Sequence, residues 1–157
     1  MKMVLTLCMI CRPPRILLGM KKLRLGAGRW NGFGGRVEAG ETIEAAARRE
    51  VSEECGLEIN QMQEVGLLEF EFANDLGQFL EVHVFLSDDF SGETQETDEM
   101  KPEWFDVDEI PYDKMWPADK LWLPLVLAGK KVRGWVLYDN KESKKILDKE
   151  LREVSEI

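Results

Sequence analysis

The 157-residue chain holds one histidine and three cysteines, and these shortages remove several chemistries at once. The only imidazole, His83, sits in Val82-His83-Val84-Phe85, a run that reads as a strand. No Cys–His couple is available, so nucleophilic catalysis by a triad is not expected. Cys8 and Cys11 have metal-like spacing, but no second pair completes a zinc site. On a strand their side chains point to opposite faces, so reduced, packed cysteines are the expectation. Long apolar runs are also missing. Met1 to Ile10 is apolar but too short to span a bilayer, and it runs into Cys11-Arg12-Pro13-Pro14. No secretory leader pattern is seen, and the cytoplasm is the expected location. Positive charge is scarce: 21 basic residues face 30 acidic ones, for a net charge of −9. That balance argues against polymeric nucleic acid as a partner, although a metal ion can screen the phosphates of a single nucleotide.

What is present is ordinary for a globular chain, 44% hydrophobic and 32% charged. The length suits one domain over residues 1–157, and neither an internal repeat nor an interior linker is visible. Strands are expected over Met3–Ile10 and Arg15–Met20, joined by a turn at Pro13-Pro14. Lys21 to Gly35 reads as a long loop whose glycines allow close backbone approach to a ligand. The clearest helix is Thr42–Cys55, with Thr42 as N-cap and Gly56 as stop. Strands follow at Glu64–Phe72 and Phe79–Leu86, then an acidic loop over Ser87–Glu99 and a short strand at Glu103–Val107. Ile110 to Pro117 is a connector. A second helix is expected over Asp119–Leu127, with Leu121, Trp122, Leu125 and Val126 spaced for burial, and a last strand over Val132–Tyr138. The charged tail from Asn140 fits helix or strand equally well. The fold class is α+β, a mixed sheet with two helices.

The most informative stretch is Gly35 to Leu57, G-R-V-E-A-G-E-T-I-E-A-A-A-R-R-E-V-S-E-E-C-G-L. Glu50, Glu53 and Glu54 stand at i, i+3 and i+4, one face of a helix. Like charges so gathered repel, and carboxylates near a helix C-terminus also oppose the macrodipole. A solvated acidic helix end would therefore be costly. A hard divalent cation accounts for the cluster, and such ions usually bring phosphates with them.

The order Gly35, Glu41, Arg49-Glu50-Val51, Glu53-Glu54, Gly56-Leu57 resembles the Nudix box at every defining position. The resemblance implies a Nudix fold, a mixed β-sheet sandwiched between helices, and a hydrolase of phosphoanhydrides using Mg²⁺, with Mn²⁺ as the alternative ion. It implies that Glu50, Glu53 and Glu54 hold metal with a backbone carbonyl from Gly34 or Gly35, that Arg49 orients the glutamates, and that Glu41 supports the loop–helix junction.

Segments outside the box, among them Gly26 to Gly35, Phe70-Glu71-Phe72, Asp98-Glu99-Met100 and Met115-Trp116-Pro117, resemble the branch that hydrolyses oxidised purine nucleoside triphosphates such as 8-oxo-dGTP or 2-hydroxy-dATP to the monophosphate and pyrophosphate, sanitising the nucleotide pool and avoiding DNA damage. That likeness implies a base pocket lined by Thr6, Lys21, Asn31, Phe72, Trp116 and Asp119. Phe33, Gly34, Gly35 and Arg36 complete the implied substrate contacts, and Glu99 is a further metal ligand or water-positioning carboxylate. Plainer readings stand beside these: Trp116 as core, Asn31 as a turn residue, Thr6 as a strand residue, Lys21 as a solvated strand end. A monomer is expected.

The chain departs from that branch where two adjacent aspartates should follow Trp-Pro. It has Trp116-Pro117-Ala118-Asp119, and Tyr138 stands where phenylalanine is usual. Losing one buried hydrogen-bonding group predicts a narrower or weaker preference among oxidised purines. The competing readings are a Nudix hydrolase of another nucleoside diphosphate derivative and a non-catalytic nucleotide-binding module.

Overall fold

The protein is described from a computed structural model over residues 1–142 and 145–157. One sheet organises the chain. Its strands are β1 (Lys2–Arg12), β2 (Arg15–Lys21), β3 (Trp30–Asn31), β4 (Glu58–Phe72), β5 (Phe79–Ser91), β6 (Met100–Asp106), β7 (Lys131–Tyr138) and β8 (Ile146–Val154). The order is β3-β2-β1-β5-β4-β7-β8, with β6 on the other side of β2. β1 runs parallel to β5 and β4 parallel to β7, while the remaining pairs are antiparallel, so the sheet is mixed.

Alternation along β1 divides the core. Cys8 and Ile10 face one cluster, Met9 and Cys11 the other, so the two cysteines do lie on opposite faces, free and buried. Helix α1 (Ile43–Cys55) covers the first face with Ala47, Val51 and Cys55. Thr42 caps it, its side chain accepting from Ala45 N at 3.1 Å, and Gly56 ends it at φ 81°. Helix α2 (Asp119–Leu127) covers the second face with Trp122, Leu123 and Val126. Leu123 replaces Leu121 and Leu125 in the buried stripe, the latter two being half-buried.

Several boundaries differ from those expected, among them β6, which begins at Met100 instead of Glu103, and β1, which runs on to Arg12. β3 interrupts the expected Lys21–Gly35 loop, because the far end of β2 pairs with it through Gly19 and Met20. β4 begins six residues early, at Glu58, and β5 runs on to Ser91, shortening the acidic loop. These extensions pair with each other around bulges between Ile59 and Gly66, which erase the period-2 pattern. The charged tail contributes β8, antiparallel to β7, and Ser143 and Lys144 of that tail lie outside the described residues.

The sheet's irregularity makes the site. β1 pairs with β2 only at Ile10, Cys11 and Arg12. Beyond that point the glycine-rich segment runs along β1, bridging Phe33 to Cys8 and Arg36 to Leu5. This wedge carries Gly34 and Gly35 against β1 and beneath the glutamates of α1.

Candidate active site

Arg49 organises the acidic end of α1. Its guanidinium forks onto Glu41, Nε to Oε2 at 2.7 Å and Nη2 to Oε1 at 2.9 Å. The other nitrogen, Nη1, donates to Glu50 at 2.9 Å and to Glu53 at 3.2 Å, and Nη2 also donates to the Arg36 carbonyl at 3.0 Å. Five donors in a fixed plane suit such a node; an ammonium could not replace it. Glu41 is held down at about 2, chiefly by the Arg49 hydrogen bonds, and it also accepts from Glu38 N at 2.9 Å. It thereby ties the loop before α1 to the helix.

Glu54 turns the other way. It is buried, and its Oε1 accepts from Gly34 N at 2.7 Å. Burial pushes its carboxyl up to about 8, against the pull of that N–H; the nearby Glu50 adds to the rise. Burial also raises Glu50, with Arg49 opposing and Glu53 and Glu99 adding repulsion. One carboxylate oxygen from each of Glu50, Glu54 and Glu99 lies within 4.8 Å of the others. Three hard oxygen donors at that spacing, two with their charge disfavoured by the surroundings, fit a divalent cation. Glu53 is outside this trio. Its side chain is about half exposed and turned to Arg49.

The glycines are there for want of space. A Cβ on Gly34 would stand 1.8 Å from the Thr6 carbonyl oxygen, and one on Gly35 would stand 2.6 Å from the Glu50 carboxyl carbon. Thr6 is buried, its N–H donating to the Gly35 carbonyl at 2.8 Å.

A cavity of about 760 Å³ runs from these carboxylates to an aromatic end. Lys21, Arg24 and Arg36 line it with positive charge; Phe72, Trp116, Trp122 and Tyr138 line it with rings. Thr6, Asn31, Gly34, Gly35 and Asp119 are also in its wall. Asn31 turns its Oδ1 to accept from Gly32 N at 2.8 Å, leaving its amide NH₂ as the group to offer a ligand. Arg29 lies over the Trp116 ring at 4.0 Å and also donates to the Glu142 carbonyl at 3.1 Å. It thus fixes one face of the indole. Tyr138 tilts against Trp116 at 5.3 Å and stacks on Phe72 at 5.9 Å. Asp119 is buried; Oδ1 accepts from Trp122 Nε1 at 3.1 Å, while Oδ2 has no partner among the described residues. Burial pushes this carboxyl up to about 7.

The one expected substrate residue the cavity does not reach is Phe33. It is fully buried in the cluster beneath α1, because its bridge to Cys8 turns the ring inward. The sequence reading left Arg24, Arg29 and Lys141 out of the site. Arg24 and Lys141 come from separate loops of the cavity wall, and no local pattern marks them.

The chain matches the NUDIX domain over residues 1–126. It is 46% identical over 154 residues to the oxidized purine nucleoside triphosphate hydrolase of Danio rerio, covering 98% of this chain and 97% of that one. Identity to the Mus musculus protein of the same description is also 46%, over 149 residues, or 95% and 94% of the two chains. Among solved structures, the mutator MutT protein of Bacillus halodurans superposes with a TM-score of 0.81 at 23% identity, covering 95% of this chain and 97% of that one, a likeness of fold. With its box intact around Arg49 and its sheet held between two helices, the chain belongs to the Nudix family.

Proposed function

We propose that the protein hydrolyses oxidised purine nucleoside triphosphates to the monophosphate and pyrophosphate. The observation that carries this is the single cavity joining the Glu50–Glu54–Glu99 cluster to a pocket of Trp116, Phe72 and Asp119. Near-full-length likeness to two oxidized purine nucleoside triphosphate hydrolases supports the same substrate class. Glu50, Glu54 and Glu99 would hold Mg²⁺ with the Gly34 carbonyl, the Gly35 carbonyl being engaged by Thr6. Bound there, the ion would neutralise phosphate charge and acidify a water.

The protein's own part is positioning. Arg49 fixes Glu50 in the cavity wall through one carboxylate oxygen, and it holds Glu53 as an outer carboxylate. Lys21 and Arg36 neutralise the polyphosphate inside an otherwise acidic protein. Trp116, held on one face by Arg29, gives a ring on which a purine stacks, and Asn31 and Asp119 meet the base edge. The protein acts as a monomer in the cytoplasm.

The test is a panel of 8-oxo-dGTP, 2-hydroxy-dATP, dGTP and dATP with product identification, with Mg²⁺ and with chelator. Monophosphate and pyrophosphate formed only with the metal, fastest from an oxidised purine, are expected. Turnover that ignores the chelator, or none on any purine triphosphate, refutes the proposal.

A further inference from the structure

Tyr138 lies on β7, beyond the residues of the family match, and its ring belongs to the pocket floor. Its hydroxyl oxygen accepts the Ala118 N–H at 3.2 Å, and among the described residues it makes no other hydrogen bond. One lone pair is therefore spent on the backbone and the phenolic proton is left to give. Burial first, and the charge of Asp119 second, raise the phenol pKa, so the proton stays on at neutral pH. Asp119 follows Ala118 directly, and its Oδ2 is a buried oxygen with no partner among the described residues, an acceptor whenever the carboxyl is ionised. Two residues of the cavity wall, linked through the Ala118 N–H, thus offer a donor and an acceptor where the side chain of Ala118 offers neither.

We infer that the Tyr138 hydroxyl reads the base, and that with Asp119 Oδ2 it selects purines carrying a 6-oxo group next to N1–H. This rests on the cavity being a purine triphosphate site. The lactam edge of guanine, hypoxanthine and 8-oxoguanine presents an acceptor, O6, beside a donor, N1–H, the complement of Tyr138 and Asp119. Adenine and 2-hydroxyadenine carry a 6-amino donor, which meets the Tyr138 proton head-on. A buried polar group left unpaired costs roughly 10- to 100-fold in discrimination. The pair is blind to C8, so recognition of the 8-oxo group falls to other contacts. Tyr138 therefore narrows the enzyme to 6-oxopurines, in the direction expected from Ala118.

The test compares kcat/KM for dITP, dGTP, 8-oxo-dGTP, dATP and 2-hydroxy-dATP in the wild type and in Tyr138→Phe, with calorimetric Kd values for dIMP, dGMP and dAMP in chelator. The wild type should favour dITP over dATP by at least roughly tenfold, and dIMP over dAMP in binding. Tyr138→Phe should shrink both ratios roughly tenfold, through KM rather than kcat. Equal use of dITP and dATP by the wild type overturns the inference whether or not the variant folds. Ratios unchanged in a folded Tyr138→Phe protein overturn it too. Failure to hydrolyse any purine triphosphate refutes the proposed function instead, and the monophosphate titration still decides the base reading.

Discussion

Arg49 shows how much one side chain can coordinate. Its fork onto Glu41 fixes the plane from which Nη1 reaches Glu50 and Glu53. In Arg49→Lys the charge survives but the fork does not. Kcat/KM should fall by roughly 10- to 100-fold, the cost typical of losing a ligand-orienting partner, with a far smaller change in Tm. Unchanged kinetics in a folded Arg49→Lys protein would remove Arg49 from the positioning role. Asp119 supports a second prediction. Burial lifts its carboxyl from 3.8 to about 7, so the folded protein keeps a proton that the unfolded chain has released. A raised carboxylate pKa means stability is lost as pH rises, here from about 4 to about 7. Asn cannot titrate and can keep the Trp122 bond. The stability of Asp119→Asn relative to wild type should therefore grow across that window by roughly 4 kcal/mol at most, levelling off above it. Denaturant melts at pH 5 and 8 read it; a difference that does not vary with pH defeats the assignment. Sequence spacing placed Glu50, Glu53 and Glu54 on one helix face but could not rank them. Rank comes from contacts distant in sequence: Gly34 N–H draws Glu54 inward, and Arg49 draws Glu53 out.

At the scale of elements, the glycine wedge between β1 and α1 separates stability from activity at adjacent positions. In Gly34→Ala the new methyl meets the Thr6 carbonyl oxygen at 1.8 Å, and neither backbone can yield without breaking the Leu5–Arg36 and Cys8–Phe33 bridges. That variant should lose several kcal/mol, at the severe end for a single substitution. In Gly35→Ala the atoms nearest the methyl are those of the Glu50 carboxylate, from 2.6 Å, the end of a flexible side chain. Gly35→Ala should fold with Tm little changed while kcat/KM drops at least roughly tenfold, because Glu50 is displaced from the cluster. The pair is read by melting and by kinetics on one substrate; equal Tm losses in both variants would contradict the account. The wedge also explains which elements were legible. α1 announced itself through Thr42, an alanine run and Gly56. β3 did not, because two residues between glycines carry no period and exist only as a pairing with Gly19 and Met20. β8 hid for another reason: its residues are mostly exposed, so its charged sequence records solvent rather than a buried face.

The whole molecule carries a net charge of −9 and still draws Glu50, Glu54 and Glu99 to within 4.8 Å of one another. Burial first, and mutual repulsion second, make full ionisation of these carboxylates costly in the folded state, and a divalent cation in the cluster would relieve that cost. Binding to the folded chain alone adds RT ln(1 + [L]/Kd), about 2.7 kcal/mol at a hundredfold excess over Kd. For a chain of 157 residues this corresponds to a rise in Tm of roughly 5–10 °C. Diffuse screening of the acidic surface would also raise Tm, but it depends on ionic strength and not on valence at one site. Melting in MgCl₂ against NaCl at matched ionic strength separates the two. The Mg²⁺ shift should exceed the Na⁺ shift by most of that amount in the wild type and should vanish in Glu54→Gln, where the Gly34 N–H keeps its acceptor but the cluster loses a carboxyl able to ionise onto the metal. Glu53→Gln should retain most of the shift, since Glu53 stands outside the trio with Arg49. Equal shifts from the two salts, or a larger loss in Glu53→Gln than in Glu54→Gln, would overturn the assignment of Glu50, Glu54 and Glu99 as the metal-holding set.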